Sequence, residues 1–304
     1  VGQFHDGIEG GGQWSPTVLM LNLKPQPSFI FNAPDAAADA ALAGLTSSPA
    51  WPTLRAYLAL LEVDGLGCAG HFEKVSLKVA PGEVLGITGL MDSGRNELGL
   101  ALAGVLAATA GTVDVAGTRV VLRQPADAIA HGIGYVPEDR LAEGLFLDKP
   151  ILANMVALVL DRLRGGFGLL DQRKARRIAE ALVKELQIAT PDVDLPVQSL
   201  SGGNQQRVLI GRWLTITPKV LLLHGPTVGV DVGSKDTIYK AIQALAEKGM
   251  ALVVISDDLP ELLQNCDRII VMRNGRLAAE FDAETTREED LYEAMLGSPQ
   301  KAHA

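Results

Sequence analysis

Two short and almost wholly apolar segments set the strongest limit on how this chain can fold. Val220–Leu223 and Ala251–Ser256 have strand length, and a segment of helical character over Lys235–Lys248 separates them. Strands that are apolar along their whole length belong in sheets covered on both faces, and alternation of such strands with helices is typical of a parallel sheet. Val84–Thr88 and Arg268–Arg273 extend the alternation in both directions, so the sequence predicts an α/β fold.

Composition excludes several classes of protein. The chain has 304 residues, of which 47% are hydrophobic, which suffices for one large domain or two small ones. The net charge of −9 comes without a basic stripe, which argues against a nucleic-acid partner. Two cysteines far apart make no disulfide framework and fit a reducing cytosol. The sequence contains no apolar run long enough to span a bilayer.

The chain divides unevenly along its length. Residues 1 to 60 contain three consecutive glycines, scattered prolines and no motif, which predicts a linker or a poorly ordered extension. Strand-like and helix-like segments begin at Leu61 and predict one domain over 61–297, followed by a short tail at 298–304. Residues 125 to 200 read as mostly helical, with clear amphipathic spacing over Gln172–Gln187.

A glycine-rich loop lies between a predicted strand and a predicted helix, where a phosphate-binding loop belongs. The usual pattern is GxxxxGK[ST], in which backbone N–H groups wrap the phosphates and the Ser/Thr hydroxyl holds Mg²⁺. Arg95 replaces the lysine here and Asn96 replaces the Ser/Thr. Taken alone, this loop is therefore as typical of an ordinary glycine-rich turn as of a phosphate-binding loop. The candidate nucleotide-binding residues are Gly89, Leu90, Met91, Asp92, Ser93, Gly94, Arg95 and Asn96.

A second motif opens a predicted helix at about residue 203. Paired glycines follow a serine, and Asn-Gln-Gln-Arg follows the glycines, which a plain helix cap does not explain. A serine hydroxyl beside the free N–H groups of a helix start can bind an anion. The motif residues are Leu200, Ser201, Gly202, Gly203, Asn204 and Gln205.

The second motif resembles the signature sequence of ATP-binding-cassette proteins. Residues 61 to about 297 resemble the C-terminal cassette of the tandem ATPases of bacterial ribose, galactose and xylose importers, and related nucleoside-importer ATPases share the pattern. The matching stretches are Lys74–Leu90, Tyr135–Arg140 with Glu143–Leu145, Gly229–Gly233 and Ser256–Glu261. The resemblance implies a P-loop α/β core, an antiparallel β subdomain, a helical subdomain at about 125–205, nucleotide contact by Glu138 and a D-loop centred on Asp231.

The chain departs from that family at the residues of catalysis. The family has aspartate and then glutamate before Pro226, where this chain has His224 and Gly225. Glycine cannot polarise a water molecule, and a neutral imidazole is a poor partner for Mg²⁺, which prefers oxygen ligands. Asp257 takes the switch position, which is often histidine. These changes predict that no catalytic set is intact and that intrinsic ATP hydrolysis is weak or absent.

The resemblance also implies partners and ligands. ATP and Mg²⁺ are the family's ligands, and in the family each ATP lies between one cassette's phosphate loop and the other's signature. The implied protein is cytoplasmic, is peripheral on the inner face of the membrane, and works with an intact cassette, membrane permease subunits and, indirectly, a periplasmic sugar-binding protein. The alternatives are a nucleoside-importer ATPase and a regulatory or decayed cassette. We expect substitutions such as Ser201→Arg or Gly202→Asp to leave stability nearly unchanged, because the motif is predicted at a surface helix start.

Overall fold

The computed structural model describes residues 59–165 and 169–297. The predicted linker or extension at 1–60 lies outside the described residues except for its last two, and the predicted tail at 298–304 lies wholly outside them.

A six-stranded sheet forms the centre of the described chain. Its strands are β3 (Val84–Gly89), β6 (Ile133–Val136), β7 (Val220–His224), β8 (Ala251–Ile255), β9 (Arg268–Arg273) and β10 (Arg276–Asp282). The spatial order is β10-β9-β3-β8-β7-β6, and every pairing is parallel except that of β10 with β9. The predicted parallel α/β core is therefore confirmed.

Both faces of this sheet are covered, as the apolar strands predict. Along β7, Leu221 and Leu223 pack into one hydrophobic cluster, while Val220 and Leu222 pack into a second cluster on the opposite face. Successive strand side chains point to opposite faces, so only a strand that is apolar at every position can satisfy both clusters.

A second, antiparallel sheet packs its apolar residues into the second cluster. Its strands are β1 (Leu61–Cys68), β2 (Phe72–Val79), β4 (Ala110–Val115) and β5 (Thr118–Val120), in the order β2-β1-β4-β5. Buried and exposed residues alternate along most of β2, as expected for a sheet with one solvated face. This sheet is the predicted antiparallel β subdomain.

Helices connect the strands and cover the core sheet. They are α1 (Arg95–Leu102), α2 (Pro125–Ala130), α3 (Ile151–Val156), α4 (Gln172–Glu185), α5 (Gly202–Leu214), α6 (Val232–Glu247), α7 (Leu259–Asn265) and α8 (Glu288–Leu296). The predicted amphipathic helix is α4, which buries Ile178 and Leu182, and the side chain of Asp171 caps its start through the Lys174 amide. Among the described residues, none of these helices combines the length and apolarity that crossing a bilayer requires.

Three elements differ from the sequence prediction. β6 lies inside the segment predicted as mostly helical, yet it pairs with β7 as an edge strand of the core sheet. Its four residues are too few to show a period. β10 and α8 follow Arg273, where the sequence suggested the last core strand, and β10 shows no fully buried residue, so it lacks the apolar run that marks the inner strands.

Candidate functional site

The phosphate loop leaves β3 at Gly89 and enters α1 at Arg95. Leu90, Met91 and Asp92 are exposed, and Ser93 is buried. Gly94 has a φ of 88°, and a Cβ at this position would lie 2.9 Å from the carbonyl oxygen of His71. Only glycine fits this turn without strain, so the glycine that begins the helix is required by backbone geometry as well as by close approach.

Arg95 places a buried guanidinium group at this loop. The residue is 8% exposed, and its Nε and Nη1 atoms have no hydrogen-bond acceptor in the part of the chain that the structure describes. Its Nη2 lies 3.6 Å from a carboxylate oxygen of Asp257, whose side chain is 74% exposed. The hydroxyls of Ser93 and Thr88 are also buried, with no partner among residues 59–165 and 169–297. A buried donor without an acceptor costs about 1–3 kcal/mol, so this arrangement favours an anion at the loop.

His224, at the end of β7, joins three elements through its ring. Nδ1 lies 3.2 Å from the Tyr135 hydroxyl, and Nε2 lies 3.2 Å from Oδ1 of Asn96 and 3.3 Å from Oε2 of Glu138. Burial lowers the pKa of His224, the Glu138 carboxylate opposes this change, and the Arg95 guanidinium adds to it. The ring is therefore neutral at pH 7.

The two oxygens beside Nε2 assign the tautomer of His224. Asn96 Oδ1 and the Glu138 carboxylate can only accept hydrogen bonds, so the ring proton lies on Nε2 and is shared between them. Nδ1 then accepts from the Tyr135 hydroxyl. Every polar atom of the ring is satisfied by this assignment.

The magnesium ion that the resemblance implies does not fit this set of donors. Mg²⁺ needs oxygen ligands at about 2.0–2.1 Å in octahedral geometry. Asn96 Oδ1 and Glu138 Oε2 are the oxygens next to the His224 ring, and both face its N–H group. The His224 N–H group occupies the space that both oxygens face. A metal ion there would have to break the hydrogen bonds from His224 to Asn96 and Glu138.

Gly225 follows His224 and adopts a left-handed backbone, with a φ of 52°. A Cβ at this position would lie 2.8 Å from Cγ2 of Val228 and 2.9 Å from Cγ of Glu138. The backbone N–H of Gly225 donates to the carbonyl of Ile255 at 2.8 Å. The position thus offers no side-chain base, and the side chains of Val228 and Glu138 occupy the space that a side chain here would need.

Arg140 connects the segment after β6 to the loop after β7. Its guanidinium donates from Nη1 to the Val228 carbonyl at 2.7 Å and from Nη2 to the Gly229 carbonyl at 2.8 Å. Sequence reasoning selected Glu138 from this segment but missed Tyr135 and Arg140 as site residues. Their position within the matched stretch Tyr135–Arg140 was the available signal, and nothing in the sequence specified their partners.

The signature motif begins α5, with Ser201 as the residue before the first turn. Ser201 is exposed, and its side chain makes no capping bond to the helix backbone. Instead its hydroxyl accepts from the Asn204 side-chain amide at 2.9 Å, and Asn204 Oδ1 accepts from the Ala189 backbone N–H at 2.8 Å. Gln205 is 9% exposed and donates to the Leu200 carbonyl at 3.1 Å. Asn204 and Gln205 brace the motif, and Ser201 is left facing solvent.

The two signature glycines are packing positions. A Cβ at Gly202 would lie 2.9 Å from Arg140 Nη2 and 3.2 Å from the Gly229 carbonyl, and a Cβ at Gly203 would lie 2.4 Å from Cβ of Ser234. These contacts oppose the expectation that Gly202→Asp leaves stability nearly unchanged. We now predict that it lowers stability, because the Arg140 side chain is held by its bonds to the 228–229 backbone. The expectation of nearly unchanged stability still stands as a prediction for Ser201.

Asp231, the predicted D-loop residue, caps α6. Its carboxylate accepts from the backbone N–H of Ser234 at 3.0 Å and from the Ser234 hydroxyl at 2.8 Å. The Ser234 hydroxyl and its backbone N–H lower the pKa of Asp231. Ser234 also faces Gly203, so the D-loop and the signature helix meet at this serine.

The predicted residues therefore fall into two groups. Arg95, Asn96, Glu138, His224 and Asp257 are linked by the ion pairs and hydrogen bonds around the phosphate loop. Gly202, Gly203 and Asp231 lie with the D-loop helix, and Arg140 contacts the backbone next to Gly202.

Comparison with known proteins finds a matching family model and individual similar sequences. The family model for the ABC transporter matches residues 72–228. The ribose import ATP-binding protein RbsA of Yersinia pestis bv. Antiqua (strain Antiqua) is 40% identical over 237 residues, which are 78% of this chain and 46% of that protein. The putative ribose/galactose/methyl galactoside import ATP-binding protein 1 of Burkholderia cenocepacia (strain HI2424) is 42% identical over 223 residues, 73% of this chain and 43% of that protein. The chain thus spans less than half the length of these relatives.

Solved structures support the fold. A nucleotide-free ATP-binding cassette from an ABC transporter has a TM-score of 0.65 at 24% identity, covering 80% of this chain and 96% of its own. A dimeric cassette in a post-hydrolysis state with ADP and Pi has a TM-score of 0.62 at 21% identity, covering 74% of this chain and 100% of its own.

Proposed function

The chain belongs to the ABC transporter ATPase family, and we propose that it is an ATP-binding, energy-coupling subunit, or part of one, of a bacterial monosaccharide importer. Its own nucleotide site would hold nucleotide without turning it over, and its signature helix would complete the site of an intact partner cassette. The other proposed partners are membrane permease subunits and, indirectly, a periplasmic sugar-binding protein, with the chain on the cytoplasmic face of the membrane. Support for the sugar comes from the relatives' names, ribose and ribose/galactose import proteins.

One observation carries the proposal: the signature helix presents an exposed serine while the local catalytic positions hold His224 and Gly225. Ser201 is exposed at the start of α5, a helix of 13 residues. The N-terminus of such a helix favours negative charge, which suits a phosphate group held by another molecule. Gly225 offers no general base, whose loss costs about 10²–10⁴-fold in rate. The intact part of this chain is therefore the part that can act on a partner's nucleotide.

The test is ATP turnover of the chain reconstituted with an intact cassette of the same importer. Ser201→Arg should reduce turnover by more than about a hundredfold, the range found when one preorganised donor to a reacting group is removed. Ser76→Arg, at another exposed serine, on β2, is the matched control and should leave turnover unchanged. Thermal melting of each single chain should show that Ser201→Arg folds normally.

The alternatives predict a different result. If the pair containing Ser201→Arg turns ATP over at the parent rate, this chain does not complete its partner's site. A regulatory or decayed cassette would then be the better account.

A further inference from the structure

His224 occupies the position at which the family that this chain resembles has an aspartate that supports Mg²⁺. Its Nε2–H group is shared between Asn96 Oδ1 at 3.2 Å and Glu138 Oε2 at 3.3 Å. The ring N–H thus connects the side chains of Asn96 and Glu138, and the Tyr135 hydroxyl contacts the ring from its other side.

Positive charge at the loop comes instead from Arg95. Arg95 is 8% exposed, and two of its guanidinium nitrogens find no acceptor among the described residues. Its ion pair with Asp257 is long at 3.6 Å and involves a carboxylate whose side chain is 74% exposed. A planar guanidinium suits bidentate contact with phosphate oxygens.

Two further features favour the same ligand. The buried hydroxyls of Ser93 and Thr88 have no partner among the described residues and can donate. The N-terminus of α1 begins at the same loop, with an eight-residue helix behind it. The loop and the end of β3 thus carry several donors without acceptors close to Arg95 in the chain, which favours the oxygens of a phosphate chain as their partners.

We propose that this phosphate loop binds the polyphosphate of a nucleotide as a metal-free anion, with Arg95 supplying the charge that Mg²⁺ supplies in an intact cassette. The inference deepens the proposed function, since it rests on the claim that the chain's own site holds a nucleotide. It also goes further, because an intact cassette would bind the magnesium complex. In this chain magnesium in solution competes with the site for the phosphate oxygens.

The experiment is a calorimetric titration of the full chain with ATP, once in EDTA and once in excess Mg²⁺. We expect the affinity in EDTA to equal or exceed that in Mg²⁺, and inorganic tripolyphosphate to compete with ATP in EDTA. Arg95→Gln should weaken binding in EDTA by about tenfold or more, since charge-assisted hydrogen bonds are lost. Arg119→Gln is the matched control and should change nothing, because Arg119 is an exposed arginine paired with Asp114 on the β subdomain.

A second variant reverses the requirement for metal. His224→Asp replaces the ring N–H by a carboxylate beside Asn96 and Glu138, so ATP binding should become at least tenfold weaker in EDTA than in Mg²⁺. Three results would overturn the inference: parent binding that is at least tenfold tighter with Mg²⁺, no ATP binding in either buffer, or no competition by tripolyphosphate. The absence of ATP binding would also remove the proposed nucleotide-holding role of this chain's own site, whereas the other two results would leave that role intact. None of the three affects the partner-turnover assay, which depends on Ser201 and tests the completion of a partner's site separately.

Discussion

Replacing Gly225 by alanine should destabilise this chain far more than the same replacement at Gly65. Both glycines have left-handed backbones, with φ of 52° at Gly225 and 58° at Gly65. Alanine in this conformation costs about 1–2 kcal/mol, and the reduced entropy of the unfolded chain returns about 0.4–1 kcal/mol. Gly65 has no neighbour within 4 Å of an added Cβ, so Gly65→Ala should lose about 0–1.6 kcal/mol.

Gly225→Ala carries a steric term in addition. The added Cβ would lie 2.8 Å from Val228 and 2.9 Å from Glu138, closer than carbon atoms pack. Overpacking in a core costs about 1–3 kcal/mol. Val228 and Glu138 are both exposed and can shift, which places this steric cost toward the lower end, so the total loss should be about 1–4 kcal/mol. Urea denaturation of the parent and both variants measures the free energies of unfolding. Equal stabilities of Gly225→Ala and Gly65→Ala would refute the argument that Val228 and Glu138 leave no room for a side chain at position 225.

The same contacts explain why restoring the glutamate should not restore activity. Gly225→Glu must displace Val228 or Glu138, and it leaves His224 bound to Asn96. Residues that act as a unit give non-additive effects. We therefore expect no measurable gain in phosphate release from Gly225→Glu, and full activity from that single change would contradict our account of the neighbouring positions.

Three further predictions concern the isolated chain. Steady-state phosphate release at saturating Mg-ATP should fall far below the value of about 1 s⁻¹ at the low end for ordinary enzymes, and turnover near that value would contradict the proposed loss of catalysis. Asn154→Ala should lower the free energy of unfolding, measured in urea, by about 2–5 kcal/mol. The buried side-chain oxygen of Asn154 accepts from the Arg212 guanidinium and from the Phe146 backbone N–H, and each orphaned donor costs about 1–3 kcal/mol. A loss below about 1 kcal/mol would count against this prediction. Asp231→Asn should melt below the parent at pH 7, and the difference should shrink as pH falls. The reason is that the lowered pKa of Asp231 stabilises the fold above the unfolded-state pKa and this stabilisation disappears as pH falls through the folded value; a constant difference from pH 7 to acid would refute this.

The core of the fold was predictable because its strands carry an unambiguous pattern. β7 and β8 are buried at every position, and a fully apolar segment of that length between helices has few other uses. β6 and β10 were not predicted, because they lack this pattern. β6 is four residues long, and β10 alternates between exposed and half-exposed residues at a sheet edge, so neither offers the signal that identifies an inner strand.

Sequence reasoning selected part of the candidate site, since it named Arg95, Asn96, Glu138 and His224 but missed Tyr135 and Arg140. The motifs lie at the same edge of a parallel sheet, because Arg95 and Asn96 begin α1 and His224 ends β7. They could not indicate that His224 donates to Asn96 and Glu138, because that contact depends on side-chain rotamers and on the burial that keeps the ring neutral. The role of Arg140 was hidden in the same way, because its partners are backbone carbonyls, which any residue provides.

Retention of the signature sequence has two physical explanations, and the structure separates them residue by residue. Gly203 lies against Ser234 and Gly202 against Arg140, so folding alone accounts for both glycines. Gln205 is likewise held by the Leu200 carbonyl. Ser201 differs, since it is exposed and its hydroxyl makes one hydrogen bond among the described residues, from Asn204, which water would replace at little cost. The fold therefore gives no reason for a serine at this position, whereas the proposed contact with a partner's phosphate does, so Ser201 is the signature residue at which the proposed function is best tested.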